Sequence, residues 1–401
     1  MTLPLLVRRS LRQHLLSTVV TALSLALAGG LLTSVWVVRR QARETFTGQT
    51  GAWDAVLGAR GAKLQLVLNA LFHLEASPGN VPFADYEAIA TNRAVALAIP
   101  IAVGDNYLGY RIVGTKTNLF SDAEASPGRK FRVVPGGRVF EDGYREALVG
   151  SFVAARVGLK VGDTFKPYHG LNFNPKEQHD DEYVVTGVLE PSNTPADRVI
   201  WIPLEGLQNM TGHAAATATD VSAVLVKLRS PIAGQQLDLL YNKQGDRFTF
   251  AWPLGAVLAQ LFDKMGWFDK VLELVAYLVV LVASGSVLAS IYNSMSARRR
   301  DIAILRALGA RRTTVFSAVV LEAAAVAALG MVGALGFHFA ILGSTAAVIR
   351  AQTGVVLDVW AWDPVLVWAP VGLVLLGALA GVVPAMKAYS NPVAENLVPE
   401  S

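Results

Sequence analysis

The histidines and clustered carboxylates are the side chains of this sequence that could bind a metal ion. The chain has six histidines, and no two of them have a spacing that places two metal ligands on one face of a helix. The segment HGLNFNPKEQHDDEY concentrates the candidate ligands, which are His169, His179, Asp180, Asp181 and Glu182. If this loop folds back on itself, these groups could converge on a divalent cation, but solvated acidic loops are far commoner. We therefore predict no resident metal and keep this loop as the alternative.

The sequence carries no complete nucleotide-binding or hydrolase motif. The nearest match to a phosphate-binding loop is GYRIVGTKTN at 109–118, where Thr115 stands in place of the lysine that must follow the second glycine. Neither a GxSxG elbow nor an HExxH motif is present. The chain is therefore expected to have no catalytic residues and no cofactor of its own, and an exported hydrolase on a membrane anchor is disfavoured.

Two ionisable residues, Glu322 and His338, lie inside long apolar stretches. An ionisable group in hydrocarbon is unfavourable unless it is paired, and such groups are often functional. We predict a satisfied contact between helices for both residues. A proton relay is the alternative, although the other apolar stretches offer few ionisable partners for one.

The apolar stretches themselves are long enough to be membrane spans. Of the 401 residues, 53% are hydrophobic and 16% are charged, whereas soluble domains have about 25% charged residues. Uncharged runs at 15–38, 274–297, 323–349 and 364–386 each exceed the roughly 20 residues that a helix needs to cross a bilayer. The first run is also too long for a cleaved signal peptide. The predicted transmembrane helices are residues 15–38, 271–297, 313–349 and 363–386.

The charge distribution predicts the orientation of these spans. Residues 39–270 contain 24 basic and 24 acidic side chains, so the net charge of +4 comes from the membrane portion and does not indicate nucleic-acid binding. Residues 1–14 carry three arginines and residues 298–312 carry six, and short basic segments remain cytoplasmic. Both termini are therefore predicted inside and residues 39–270 outside. Three arginines beyond the first span oppose this rule, namely Arg39, Arg40 and Arg43.

The segment between the first two spans mixes helical and strand-like patterns. Helical spacing is found at 39–49, 83–92 and 254–267, and short β-branched runs occur at 111–114, 132–134, 183–189, 199–202 and 221–228. Residues 121–130 and 167–182 have the composition of loops. The predicted fold is therefore an α-helical membrane protein with four transmembrane helices and a large α+β extracytoplasmic domain between helices 1 and 2.

The segment SARRRDIAILRALGARR at 296–312 predicts a short amphipathic helix. Ile302, Leu305 and Leu308 recur every three residues and form an apolar face between arginines. Asp301 lies where the helix dipole favours an anion, and Gly309 is placed to end the helix in a left-handed conformation. From spacing alone, this helix contacts either lipid headgroups or a protein partner.

Small residues spaced by four occur in the predicted spans. They are Ala22, Ala26 and Gly30, then Gly336 and Ala340, then Gly377 and Gly381. Such residues let helix backbones approach closely, either in a dimer interface or in ordinary contacts within one chain. Pro370 is expected to kink the fourth span.

Several longer segments resemble a known family. The stretch RRRDIAILRALGARRTTVFSAVVLEAAAVAALGMVGALG from residue 298 resembles the FtsX-like permease domain, and PAMKAYSNPVAENL at 384–397 resembles that domain's ending. EALVGSFVAARVGLKVGDTF at 146–165 and YVVTGVLEPSNTPADRVIWIPLEGLQ at 183–208 are similar to the MacB-like periplasmic core domain. The order of span, outer domain and three spans also matches the family.

The resemblance implies a permease subunit of an ABC transporter in the bacterial inner membrane. It implies a homodimer bound to two cytoplasmic ATPase subunits, which supply ATP and Mg²⁺, and movement of the outer domain rather than passage of cargo through the membrane. The ATPase-coupling residues implied are Arg298, Arg299, Arg300, Asp301, Ile302, Leu305, Arg306, Leu308 and Gly309. A periplasmic or outer-membrane partner is left open.

The leading hypothesis is that the ATPase moves the outer domain for transport. Two alternative functions remain. One is a signalling complex of the FtsX type that activates an extracytoplasmic cell-wall enzyme, and the other is a binding module for lipoprotein, lipid, peptide or metal cargo. The remaining predicted segments are an outer loop at 350–362 and a cytoplasmic tail at 387–401.

Overall fold

The computed structural model describes residues 3–48, 52–211, 219–297 and 299–390. Within these ranges the chain forms twelve α-helices. The helices are α1 (Leu3–Gln13), α2 (Leu15–Gly48), α3 (Lys63–Ala70), α4 (Phe83–Ala90), α5 (Asn118–Ser121), α6 (Ser151–Val157), α7 (Leu204–Gln208), α8 (Pro231–Asp238), α9 (Leu254–Ala297), α10 (Arg299–Ala307), α11 (Arg312–Thr353) and α12 (Val365–Ser390).

The same ranges contain twelve β-strands. They are β1 (Ala55–Ala59), β2 (Val95–Tyr107), β3 (Tyr110–Thr115), β4 (Glu124–Ser126), β5 (Arg129–Lys130), β6 (Glu146–Val149), β7 (Thr164–Phe165), β8 (Tyr168–His169), β9 (Tyr183–Val188), β10 (Ile200–Pro203), β11 (Ala223–Leu228) and β12 (Phe248–Ala251).

The chain divides into two compact units. The membrane unit comprises the described residues of Met1–Gln41, Gly266–Ala346 and Asp358–Ser401. The outer unit comprises the described residues of Ala42–Met265 and Ala347–Leu357.

The membrane unit contains helices that are long and apolar enough to cross a membrane. Four such spans are found in the described part of the chain: Leu15–Phe46, Leu254–Ser296, Arg312–Thr353 and Val365–Lys387. Many of their large apolar side chains are exposed; Val282 and Val332, for example, are each 72% exposed. Exposing so many apolar side chains to water would be unfavourable, whereas their contact with lipid tails is favourable. α12 continues through Pro370 and Pro384.

Glycines allow close helix packing within the membrane unit. A Cβ atom on Gly30 of α2 would lie 2.5 Å from the Cβ of Phe337 in α11, and one on Gly330 would lie 2.7 Å from the Cβ of Leu25. Gly377 of α12 is equally close to Ala327, since its added Cβ would lie 2.5 Å from that residue's Cβ. These small residues therefore serve contacts within one chain.

A sheet of ten strands forms the centre of the outer unit. Nine strands follow the order β12-β1-β11-β2-β3-β10-β6-β9-β7, and β8 pairs with β2 beside this path. Most neighbours are antiparallel, but β10 with β3 and β6 with β9 are parallel. The long β2 pairs with β11 through its first half and with β3 through its second half, so it joins the two halves of the sheet.

Successive side chains along each strand alternate between the two faces of the sheet, so the outer unit has a hydrophobic cluster on each face. Ala55 and Leu57 of β1 lie in one hydrophobic cluster, whereas Val56 lies in the other. The strands β10 and β11 alternate in the same way, because successive side chains of a strand point to opposite faces. Both faces are covered, which explains why these strands consist mainly of β-branched and other apolar residues.

The predicted strand at 132–134 is wrong, because this segment forms only an isolated bridge between Val133 and Leu189. The expected loop at 121–130 contains a short hairpin of β4 and β5. The predicted helices correspond to α2, which covers 39–48, to α4, which covers 83–90, and to α9, which covers 254–267. Residue 49 lies outside the described residues.

The outer unit also includes Ala347–Leu357, which sequence reasoning assigned to the end of the third span and a short outer loop. Val355 is fully buried among the apolar side chains of one sheet face. Gly354 has a φ of 76°, and its backbone passes Thr194 so closely that an added Cβ would lie 2.9 Å from that residue's carbonyl oxygen. Arg198 donates a hydrogen bond to the carbonyl oxygen of Gln352. This segment thus packs as part of the outer unit.

Candidate functional site

The amphipathic helix that the sequence predicts is α10, between α9 and α11 in the chain. It spans Arg299–Ala307, and Gly309 in the turn that follows has the predicted left-handed conformation with a φ of 98°. The amide of Gly309 donates to the carbonyl oxygen of Arg306 at 3.0 Å. Arg298 lies outside the described residues. The geometry is that of a short, capped helix.

The apolar side chains of α10 are divided between two directions. Ile302 is partly buried and lines a cavity of the membrane unit, and Ala303 is 4% exposed. Ile304 and Leu308 are 41% and 80% exposed, respectively. The side chains of Arg299, Asp301 and Leu305 lie outside the described part of the structure.

The exposed apolar pair Ile304 and Leu308 has i, i+4 spacing, which places both side chains on one helix face. Arg300 beside them is exposed and Arg306 is partly exposed. Sequence reasoning missed Ile304 because the three-residue spacing of its neighbours suggested a different ridge. This exposed pair can bind a complementary apolar surface.

A cavity of about 210 Å³ lies in the membrane unit among α1, α9, α10 and α11. Its lining includes Ser10 of α1 and Glu322 of α11, and the hydroxyl of Ser10 donates a hydrogen bond to the Glu322 carboxylate. The remaining lining is mostly apolar. Glu322 therefore makes a contact between helices, in an arrangement that sequence spacing alone could not locate.

His338 also contacts another helix. Its side chain is 1% exposed, and its Nδ1 lies 3.2 Å from the hydroxyl oxygen of Ser34 in α2. The Ser34 hydroxyl also lies 2.6 Å from the carbonyl oxygen of Gly30. The polar atoms of His338 are thus placed against α2, at the point where the two backbones approach closely.

In the outer unit, two histidines and an aspartate form a cluster. The Oδ1 atom of Asp105 lies 3.2 Å from Nε2 of His179 and 3.4 Å from Nδ1 of His169. One ligand atom from each residue lies within 4.8 Å of the others. Asp105 is fully buried and His179 nearly so, whereas the His169 side chain is 53% exposed. The cluster is therefore buried on the side of Asp105 and His179 and open to solvent on the side of His169.

Backbone pairing positions this cluster. β2 pairs with β8 so that Asp105 is directly opposite His169. The amide of His169 donates to Glu177 and that of His179 donates to Pro167, so residues 167–179 form a loop that doubles back. Both imidazoles are consequently carried by one small folded loop beside β2.

Asn106 fastens the same loop to β2. Its side-chain amide donates to the carbonyl oxygens of Gly170 at 2.9 Å and Asn172 at 3.2 Å. The metal-binding alternative required the 167–182 loop to fold back on itself. Residues 167–179 do so, and this brings His169 and His179 together.

The other metal-ligand candidates lie elsewhere. Asp180 and Glu182 are exposed, and Asp181 is buried and bonded to Thr211 and Arg145. Sequence reasoning missed Asp105, which lies 64 residues before His169 in the numbering. A carboxylate near the end of a mainly apolar strand was the available signal.

Asp181 stabilises the cluster indirectly, through Thr211. Burial by itself raises the pKa of Asp181, but hydrogen bonds from the hydroxyl and amide of Thr211, with the charge of Arg145, lower it overall. Asp181 is thus ionised at neutral pH and holds Thr211 in place. The carbonyl oxygen of Thr211 in turn lies 2.7 Å from Nδ1 of His179.

Family comparisons cover most of the chain. The model of the MacB-like periplasmic core domain matches residues 18–238, and that of the FtsX-like permease C-terminal domain matches residues 273–393. The comparison with curated proteins finds no match.

Two solved structures with detectable similarity are extracytoplasmic domains. The extracellular domain of the noncanonic ABC-type transporter YknZ from Gram-positive bacteria has 16% identity and a TM-score of 0.30, covering 49% of this chain and 99% of its own. The periplasmic region of MacB from Actinobacillus actinomycetemcomitans has 10% identity and a TM-score of 0.35, covering 56% of this chain and 98% of its own.

Four apolar helices with a large α+β domain between the first and second define a multi-pass membrane protein with an extracytoplasmic domain. The two family models, in this order along the chain, identify it further. The chain belongs to the FtsX-like and MacB-like permease family of ABC transporters. Membership implies a non-enzymatic subunit that works with a cytoplasmic ATPase.

Proposed function

We propose that this chain is a mechanotransmission permease. A separate cytoplasmic ATPase binds α10, and nucleotide-driven movement of that helix is converted into movement of the outer unit. ATP and Mg²⁺ are bound by the ATPase. The substrate is hydrophobic, a peptide or a lipoprotein, and it is exported or extracted from the membrane surface.

The observation that carries this proposal is the exposed apolar pair of α10. Leu308 is 80% exposed beside the partly exposed Ile304, on a helix rich in arginine. A lone helix gains little from exposing two large aliphatic side chains to water, whereas burying each in a partner's groove contributes about 1.5–3 kcal/mol. The groove expected on the ATPase is therefore apolar with an acidic rim.

The helices that flank α10 provide the path for force. α9 and α11 each contribute residues to both the membrane unit and the outer unit. A continuous helix transmits displacement along its axis because its backbone is hydrogen-bonded from turn to turn. Movement of α10 would accordingly reach the outer unit through the backbone of these helices.

We propose the bacterial inner membrane as the location, with both termini in the cytoplasm. The arginines in residues 1–14 and 298–312 support this orientation, because short basic segments remain cytoplasmic. Exposed aromatic side chains favour membrane interfaces. They lie near the outer ends of the spans, at Trp36, Trp267, Phe268, Trp360 and Trp362.

The active assembly is proposed to contain two copies of this chain with two ATPase subunits. Gly336 and Ala340 of α11 are exposed, and nothing lies within 4 Å of a Cβ added to Gly336. Within the described residues, open space thus remains beside Gly336. It is therefore available to a second copy.

The test is purification of the full-length chain with its native ATPase in detergent. The double variant Ile304→Asp, Leu308→Asp should lose most of the co-purified ATPase activity, because two carboxylates would be placed in the apolar groove. Ile232→Asp is the matched control, since Ile232 is 66% exposed on α8 of the outer unit. It should retain the ATPase. Equal ATPase recovery with the double variant and the control would reject docking through α10.

A further inference from the structure

We propose that Asp105, His169 and His179 form a binding site for a divalent transition metal, with Zn²⁺ as the first ion to test. This inference does not depend on the proposed function, because it concerns side chains of the outer unit alone. It rests on the positions of three ligand atoms, on the hydrogen bond behind one of them and on the chemistry of the donor set.

The distances are close to those that a metal requires. Ligand atoms bound to one zinc ion at about 2.0–2.2 Å in tetrahedral geometry are about 3.4 Å apart. Two separations in the cluster are 3.2 and 3.4 Å, and all three ligand atoms lie within 4.8 Å. Small side-chain rotations, mainly of the exposed His169, would complete the geometry.

The hydrogen bond between His179 and Thr211 defines which nitrogen faces the cluster as an acceptor. A backbone carbonyl oxygen only accepts, so Nδ1 of His179 donates its proton to Thr211 across 2.7 Å. In a neutral imidazole, Nε2 then carries a lone pair, and this lone pair faces a carboxylate oxygen of Asp105 at 3.2 Å. A cation between the two atoms converts this unfavourable contact into two coordinate bonds.

The hydrogen bond from His179 to Thr211 is also of the kind found at metal sites. Histidine ligands commonly donate their second ring N–H to a carbonyl or a carboxylate, which fixes the ring and its tautomer. Here the Thr211 carbonyl fulfils that role. Thr211 is itself held by Asp181, which accepts a hydrogen bond from its amide at 2.8 Å. The base of the site is thus arranged before an ion binds.

The donor set selects the class of ion. Two imidazoles with one carboxylate suit zinc and neighbouring transition metals, whereas Mg²⁺ and Ca²⁺ prefer oxygen ligands throughout. The His169 side chain is 53% exposed, so the fourth coordination position opens toward solvent. The bound ion would therefore exchange with solution and would join the 167–179 loop to β2.

The simplest competing arrangement is an ion pair between Asp105 and a protonated His179. That arrangement needs no metal and makes no demand on His169. Replacing His169 therefore separates the two explanations. Because this side chain is half exposed, its removal should leave the fold intact.

The experiment uses the full-length protein, purified in detergent without a polyhistidine tag and stripped with EDTA. Zn²⁺ binding is measured by competition with a chromogenic chelator, and Co²⁺ is added separately to record its visible absorption bands. We expect one Zn²⁺ per chain, visible Co²⁺ bands of a low-symmetry four-coordinate site, and no competition from excess Mg²⁺.

Two variants decide the outcome. His169→Ala should weaken Zn²⁺ binding at least about tenfold and abolish the Co²⁺ bands. Asp180→Asn is the matched control, because Asp180 directly follows His179 but is exposed and outside the cluster, and this variant should bind Zn²⁺ as the wild type does. Unchanged Zn²⁺ affinity in His169→Ala, or an equal loss in Asp180→Asn, would overturn the proposal. So would wild-type protein that binds no Zn²⁺ under these conditions.

Discussion

The Nε atom of Arg40 lies 3.1 Å from Oδ2 of Asp363, whose side chain is only 2% exposed. Arg39 makes similar pairs in the membrane unit, at 3.3 Å from Asp269 and 3.4 Å from Glu273. Arg43 pairs with Asp263 in the outer unit at 3.3 Å. The three arginines that oppose the positive-inside rule are therefore each balanced by a carboxylate. This pairing agrees with the proposed topology.

Asp363 also begins the fourth span, since its Oδ1 accepts a hydrogen bond from the amide of Val365 at 2.8 Å. Asp363→Ala should lower stability by about 2 kcal/mol, because it removes both the cap and the partner of Arg40. Asp363→Asn keeps an oxygen acceptor for the amide and should lose about half as much. Thermal unfolding midpoints in detergent measure both variants. Identical midpoints for Asp363→Ala and the wild type would contradict the assigned role.

Protonation of His73 should destabilise the outer unit. Burial, with the nearby charges of Arg111 and Arg198, lowers the pKa of His73 to about 3. The unfolded chain takes up this proton near pH 6.5, well before the folded chain does. The contribution to stability is therefore complete above pH 6.5 and falls as pH decreases from 6.5 toward 3. At pH 5 the loss is at most about 2 kcal/mol.

The variant His73→Asn tests this pH dependence. Asparagine tolerates the left-handed backbone at this position, where φ is 54°. Its amide does not titrate, so the decline in unfolding midpoint between pH 7.5 and 5 should be shallower than in the wild type. An equally steep decline in the variant would show that other groups govern this range.

Gly30 and Gly285 provide a matched pair of glycines in the membrane unit. Gly30→Ala should destabilise the unit by about 1–3 kcal/mol, because the new methyl overlaps Phe337 and must separate α2 from α11. Gly285→Ala in α9 meets open space and should be neutral or stabilise by about 0.5–1 kcal/mol. Thermal unfolding of both variants measures the difference. Similar midpoints would argue against close packing at Gly30.

Gly354 should be intolerant of substitution. Its φ of 76° is strained for other residues, and an added Cβ would lie 2.9 Å from the carbonyl oxygen of Thr194. Gly109 has a similar φ of 85° but open space around it. Gly109→Ala should therefore cost about 1 kcal/mol of backbone strain. Gly354→Ala should cost clearly more and should increase proteolysis of the segment that follows α11. Equal stability of the two variants would mean that the contact with Thr194 yields easily.

Local sequence patterns were sufficient to predict many of the helices and strands of this fold. Apolar runs near Leu15, Leu274 and Ala323 are detectable because a span needs about 20 consecutive apolar residues. Gly309 was recognisable as a helix end because few other residues adopt its φ. The strand at 132–134 was wrong because β-branched residues indicate a strand only when a neighbour can pair along their whole length. The short segment near Val133 has just one bridge.

The two candidate sites differ in how much of each could be predicted from the sequence. α10 is built from contiguous residues, so its existence was predictable, but the exposure of Ile304 depended on how the helix lies against the cavity. The metal cluster joins Asp105 to a loop far along the chain. Only the pairing of β2 with β8 could place that carboxylate opposite His169.

The amino-acid sequence by itself determined the spans, the α+β class of the outer domain, the basic helix and the family resemblance, because each is recorded in consecutive or regularly spaced residues. Tertiary structure alone decided which carboxylates balance Arg39 and Arg40 and that Val355 belongs to the outer core. It also decided that two histidines meet Asp105. These contacts join residues distant in the chain, so they depend on strand register and helix packing, which no local spacing encodes.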